Sequence, residues 1–259
     1  LALTISTFGR CRVWKDDRSL WTDVLGKYPD VAVAHDKLGL LRAADGEPEG
    51  AIEEYDRAIA LDPSYVGAFN NRAIANRRLK RFDQAEADYK KVIDLNPSFA
   101  DAFYNLGNLY HEAGQDEKAV ELYGRAIGIT PKSAQIYNNR GLSHIALNET
   151  EKARADFAKA IEIDPAFEVP RINRGLLLVQ LGRFDESLED LNAAVAMNSG
   201  IPNVFLARGL AFAGKGDYER ALSDIDAALK LKPDYEEALI QRARILLQKK
   251  DAEKTRIGR

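Results

Sequence analysis

The chain has 259 residues, 46% hydrophobic and 30% charged, and its 37 basic and 40 acidic side chains leave a formal net charge of −3. That near-balance excludes a protein that grips nucleic acid through bulk positive charge. A single cysteine, Cys11, excludes an internal disulfide framework and a cysteine-based zinc site, and no apolar run reaches the roughly 18 residues of a membrane-spanning helix.

A 34-residue pattern runs six times from Ala32 to Tyr235 without insertion. Counting each unit from Ala32, the eighth place reads Gly39, Ala73, Gly107, Gly141, Gly175 and Gly209. The twentieth reads Ala51, Ala85, Ala119, Ala153, Ser187 and Ala221, and the twenty-seventh Ala58, Val92, Ala126, Ala160, Ala194 and Ala228. Self-similarity at such a period marks a repeat architecture, in which each unit buries its apolar face only against its neighbours.

Residues 1–31 come first in chain order. Pro29 stands one period before Pro63, which puts Trp14, Trp21 and Val24 at the seventeenth, twenty-fourth and twenty-seventh places of a degenerate half-repeat or N-terminal capping helix. The opening at Leu1, on the apolar stretch LALTISTF, is expected either of a piece of a longer polypeptide or of an arbitrary boundary. The units 32–65, 66–99, 100–133, 134–167, 168–201 and 202–235 follow. In each, apolar residues recur every three or four positions in two blocks, the signature of helix–turn–helix. The turn falls at the fifteenth place, where Gly46, Gly114, Gly182, Gly216 and Asn148 accept a left-handed backbone, so Lys80 predicts a differently built turn in the second unit. Pro63, Pro97, Pro131, Pro165 and Pro233 end the second helices, and Ser199 in their place predicts a looser joint. Residues 236–250 read as a solitary first helix capping the array, and 251–259 as a frayed polar tail.

Two features describe the expected interior. Aromatics stand at the twenty-fourth place (Tyr55, Tyr89, Tyr123, Phe157) and the fourth (Phe69, Phe103, Tyr137, Phe205), phased to pack inward. Where the seventh place is arginine (Arg72, Arg140, Arg174, Arg208), the twenty-third is aspartate (Asp88, Asp156, Asp190, Asp224), whereas the third unit has Leu106 with Leu122. Charge exchanged for apolar side chains as a pair predicts a partly buried ion pair between the helices of one unit. Leu38 with Glu54 breaks the rule.

These helix pairs, with small residues at the eighth and twentieth places, an aromatic at the twenty-fourth and proline at the thirty-second, resemble the tetratricopeptide repeat throughout Ala32 to Tyr235. The resemblance implies an all-α fold, a right-handed α-solenoid superhelix of antiparallel helix pairs whose first helices line a concave groove. The groove places are then the second, fifth, sixth, ninth, twelfth and thirteenth. They hold Asn70, Asn71, Asn105, Asn108, Asn138, Asn139 and Asn173, with Tyr104, the basic pair Arg77 and Arg78, and nearby Lys80 and Arg81. An asparagine amide both donates and accepts, so a ladder of them can pair with the backbone of an extended peptide. It is similar to the asparagine ladder of the protein O-linked N-acetylglucosamine transferases, although asparagine here also serves local packing. Later groove places turn apolar (Leu142, Ile145, Ile172, Leu176, Val179, Leu206, Leu210). The carboxylate clamp by which other members hold chaperone tails needs Lys and Asn where this chain has Asp36 and Leu40, which excludes that partner.

The segment with Arg10, Arg12, Trp14, Leu20, Trp21 and Pro29 also resembles the junction preceding the repeats in multi-spanning glycosyltransferase-like membrane proteins with C-terminal tetratricopeptide arrays. That resemblance would make LALTISTF the stump of a membrane helix and tether the chain through residues before Leu1. The residues name no compartment: the cytoplasm is one expectation, and the extracytoplasmic or luminal side of a membrane is the other if the parent is a membrane protein.

Catalytic patterns are absent from the sequence. His35, His111 and His144 fall in three units, none in an HExxH motif or at metal-ligand spacing, and they read as surface or packing residues. No phosphate loop, dinucleotide fingerprint or nucleophile elbow occurs, and Asn148-Glu149-Thr150 matches a glycosylation sequon at a turn. The expectation is a non-catalytic scaffold without cofactor or metal, binding a protein or peptide partner, an extended peptide or a partner helix, in its groove. The alternatives are a substrate-presenting accessory domain of a membrane glycosyltransferase-like protein, and self-association through the apolar later groove.

Overall fold

The computed structural model describes residues 15–197 and 200–257. Cys11, the LALTISTF stretch, Arg10, Arg12, Trp14 and the Ser199 joint lie outside the described residues. Within them the chain is all-α, with fourteen helices and no strand. It divides into two compact units, Leu1–Thr130 and Pro131–Arg259.

In the first unit, α1 (Asp17–Lys27) starts at a capping box in which the Asp16 carboxylate accepts from the Ser19 amide at 2.7 Å. Three antiparallel pairs follow: α2 (Ala32–Ala44) with α3 (Pro48–Leu61), α4 (Val66–Arg78) with α5 (Phe82–Leu95), and α6 (Ala100–Glu112) with α7 (Asp116–Ile129). The second unit holds α8 (Ala134–Ala146) with α9 (Thr150–Ile163), α10 (Glu168–Gln180) with α11 (Phe184–Met197), and α12 (Pro202–Gly214) with α13 (Tyr218–Leu231). Its last helix, α14 (Glu236–Ile257), packs on α13. The helix therefore continues through Asp251 to Ile257, where a frayed tail was expected.

One turn joins all six pairs. The residue at the fifteenth place is left-handed, and the next amide reaches back five residues, as from Glu47 N–H to the Arg42 carbonyl at 2.9 Å. Lys80 departs from expectation, because it adopts the same turn with φ 58° and Arg81 N–H bonds the Asn76 carbonyl at 2.9 Å. Repeat packing on both sides imposes that geometry on a residue that does not favour it.

The interior of each pair is built on close approach. Tyr55, Tyr89, Tyr123 and Phe157, then Leu191 and Ile225, fill the twenty-fourth place and are fully buried. A Cβ added at Gly107 would stand 2.7 Å from the Tyr123 ring, and one at Gly141 2.7 Å from the Phe157 ring. Glycine at those places costs helix propensity, about 1 kcal/mol relative to alanine, and the buried ring occupies the space it frees. Ser187, the one hydroxyl at the twentieth place, donates to the Gly175 carbonyl at 2.8 Å, so its burial leaves nothing unsatisfied.

The charge pairs bridge the same interiors. Each arginine binds its aspartate through two parallel bonds: Arg140 Nε and Nη2 to Asp156 at 2.8 and 2.7 Å, and Arg208 to Asp224 at 2.7 and 2.8 Å. Arg72 with Asp88 and Arg174 with Asp190 match them. The aspartate hydrogen bond raises the arginine pKa in all four, so the guanidinium stays charged. Glu54 is buried without the arginine of the rule, and its carboxylate is satisfied by His35 Nδ1 at 2.7 Å, Arg57 at 3.0 Å and Arg42 at 3.2 Å.

Candidate functional site: the first-helix face

On the first unit, this face is formed by α2, α4 and α6. Asn71 Nδ2 donates to Asp36 Oδ1 at 2.8 Å, and the Tyr65 hydroxyl donates to Asp36 Oδ2 at 3.1 Å. The asparagine thus staples its helix to the preceding first helix and keeps its Oδ1 as an acceptor. Arg77 pairs with Glu112 at 3.2 Å. Arg78 is exposed, with Nη1 3.5 Å from the Ala43 carbonyl and no ion-pair partner among the described residues.

Leu40, Ala43, Asn71, Ile74, Ala75 and Arg78 line a cavity of about 300 Å³ floored by Tyr55. Its apolar wall comes from ninth- and twelfth-place residues, which the sequence places on the groove but which only the fold shows converging. Burial raises the pKa of Tyr55 strongly, keeping that hydroxyl neutral.

Further along, Tyr104 lies 6.1 Å from the ring of Tyr123, whose hydroxyl donates to Asn108 Oδ1 at 2.7 Å. Tyr123, read from sequence as pure core, therefore shapes the face through Asn108. Asn105 is half-buried beside them. Asn70 Oδ1 is buried with no hydrogen-bond partner.

On the second unit the same staple recurs. Asn173 Nδ2 donates to Asn138 Oδ1 at 2.9 Å, and Asn138 Nδ2 donates to Asn139 Oδ1 at 3.1 Å. Asn138 is only 4% exposed, so its amide is spent on packing and presents nothing to a ligand. Asn139 and Asn173 remain half-buried. The histidines are held by acids as well, His111 by Asp116 at 2.5 Å and His144 by Glu149 at 2.6 Å, each across a helix turn. Among the described residues no cluster of His, Cys, Asp or Glu could hold a metal ion, and no helix is long and apolar enough to cross a membrane.

The helix pairs, turn and first-helix face define a helical repeat protein of the α-solenoid class. Sequence profiles described as TPR repeat match residues 39–80, 77–114 and 107–148, and others described as Tetratricopeptide repeat match 134–167, 172–236 and 206–254. The chain belongs to the tetratricopeptide repeat family.

No curated protein matches the chain. Solved structures do, at identities that speak to fold alone. PilF of Pseudomonas aeruginosa is 19% identical with a TM-score of 0.73, covering 85% of this chain and 99% of its own. YrrB, described as a TPR protein with an unusual peptide-binding site, is 24% identical with a TM-score of 0.60, covering 74% and 99%. The APC/C hetero-tetramer Cut9-Hcn1 is 18% identical with a TM-score of 0.73 over 87% of this chain, which spans 45% of that longer one.

Proposed function

We propose that this chain is a protein-interaction scaffold that captures an extended segment of a partner on the first-helix face of its first unit. The observation that carries this reading is the cavity beside Arg78. A side chain of the partner fills the space between Leu40 and Ile74. Asn71 Oδ1 accepts a partner backbone N–H, and Arg78, free of internal carboxylates, meets an acceptor at the rim. Asn70, Arg77, Tyr104, Asn105 and Asn108 continue the track, and Asn139 and Asn173 offer a smaller patch on the second unit. The description of YrrB as a peptide binder supports the reading by analogy of fold.

The test is selection of a random heptapeptide phage library on the purified chain. Enriched peptides should bind Arg78→Glu and Asn71→Ala about tenfold more weakly than wild type, with circular dichroism unchanged. Enrichment that ignores both substitutions, or no enrichment at all, would sink the assignment.

A further inference from the structure

α14 carries the face of a first helix, and no second helix among the described residues covers it. Counted from Glu236, the residues Leu239, Arg242, Ala243 and Leu246 take the fourth, seventh, eighth and eleventh places. In α12 those places hold Phe205, Arg208, Gly209 and Phe212. There Phe212 is 8% exposed, Gly209 lies against Ala221 and Ile225 of α13, and Arg208 takes Asp224 through two bonds. In α14 the same stripe stands open, with Leu239 49% and Leu246 42% exposed.

The arginine repeats the message in charge. Arg208 has two acceptors, Asp224 from its own second helix and Asn192 from the preceding repeat at 3.1 Å. Among the described residues Arg242 has only the equivalent of the latter, Asp226 at 2.7 Å. A carboxylate in the position of Asp224 is missing from its other edge.

The described chain does not supply that carboxylate. Every complete repeat reverses at a left-handed fifteenth residue, Gly216 in the last of them. In α14 the fifteenth place is Lys250, which stays helical while the helix runs on to Ile257. No reversal brings the described chain back across Leu239 and Leu246.

We infer that this face docks an amphipathic helix of a partner protein whose contact stripe copies a second helix of this fold. Its pattern is a small residue, an aspartate three positions later and a large apolar residue directly after, as Ala221, Asp224 and Ile225 stand in α13. The small residue lets the helices approach over Ala243, the aspartate closes on Arg242, and the apolar side chain is buried against Leu239 and Leu246. This face lies on the uncovered side of a different helix from the peptide track proposed above, and the two readings stand or fall separately.

A lactam-stapled, fluorescein-labelled peptide with the sequence Tyr218–Leu231 is the probe, titrated with the full chain by fluorescence anisotropy. It should bind, and Leu246→Asp in the chain should weaken it about tenfold or more. Asp224→Lys in the peptide should weaken it comparably against wild type, yet make little difference against an Arg242→Leu chain. Leu246 is exposed, so its substitution leaves folding intact, which circular dichroism checks. Absence of binding, or binding indifferent to Leu246→Asp, would overturn the inference. A dimer seen by sedimentation that Leu246→Asp abolishes would equally overturn it and assign the face to a second copy.

Discussion

The interior between the two helices of a repeat and the face lined by first helices obey different rules. In the interior the side chains recur from repeat to repeat: alanine or serine at the twentieth place, a buried ring or branched aliphatic at the twenty-fourth, and arginine locked to aspartate in four repeats. On the face, Leu40, Ile74, Asn108 and Leu142 occupy one place, and Asp36, Asn70, Tyr104 and Asn138 another. Helices that meet at near-backbone distance tolerate few substitutions, since close-packed interiors feel single methyl groups. A face with free volume tolerates many. The face proposed above as the binding surface is therefore where the repeats differ most.

The contrast is tested most severely by breaking an interior ion pair. Asp224→Ala should cost about 3 kcal/mol, because it leaves Arg208 half-buried without its carboxylate. That is the lower end of the range for buried pairs, since Arg208 keeps Asn192. The double change Arg208→Leu with Asp224→Leu should recover most of the loss, as the third repeat does with Leu106 and Leu122 in those places. Urea unfolding monitored by circular dichroism measures both. Equal loss in the single and double variants would mean that the pair is not the unit of stability.

A smaller effect separates two tyrosines at the same interior place. The Tyr123 hydroxyl reaches Asn108 on the face, whereas the Tyr89 hydroxyl is buried with no hydrogen-bond partner, the ninth place of its repeat being Ile74. Burial pushes the Tyr89 pKa up to about 12. Tyr123→Phe should destabilise by about 1 kcal/mol, while Tyr89→Phe should be neutral or stabilising by a similar amount. The same unfolding experiment reads both, and equal losses would show that the face does not reach into the interior through Asn108.

Most of the interior was legible in the sequence, because a fixed period makes each packing place visible six times over. The linked Arg–Asp and Leu–Leu choices were legible for the same reason. The partners of Glu54 were legible only in part: Arg57 stands at a place that is also basic at Lys91, Arg125 and Lys159, whereas His35 and Arg42 occupy places without a recurring charge, so comparing repeats gives no signal for them. The face was legible only in part. Asn71 and Asn173 lie at the sixth place and Asn138 at the fifth, and whether either opens to solvent depends on the angle between successive first helices. A linear pattern does not carry that angle. The length of α14 escaped for a related reason, since Lys249 to Arg259 is polar in composition yet rich in residues that propagate a helix once it has started.

Lys80 supplies the finest test of how far the repeat dictates local backbone. Its φ of 58° matches Asn148 at 59° and sits close to the glycine turns, although an L-residue with a Cβ is disfavoured there. The surrounding hydrogen bonds, Lys80 N–H to Arg77 and Arg81 N–H to Asn76, both at 2.9 Å, hold the turn in place. Lys80→Gly should relieve the strain and stabilise the chain by up to about 1 kcal/mol, partly offset by the greater freedom glycine has in the unfolded state. The side chain is exposed, so no contact is lost to complicate the reading. A raised urea midpoint with unchanged slope is the expected outcome. A lowered midpoint would mean that the lysine turn is unstrained, and that the left-handed residue is chosen by the chain locally rather than imposed by the packing of the helices it joins.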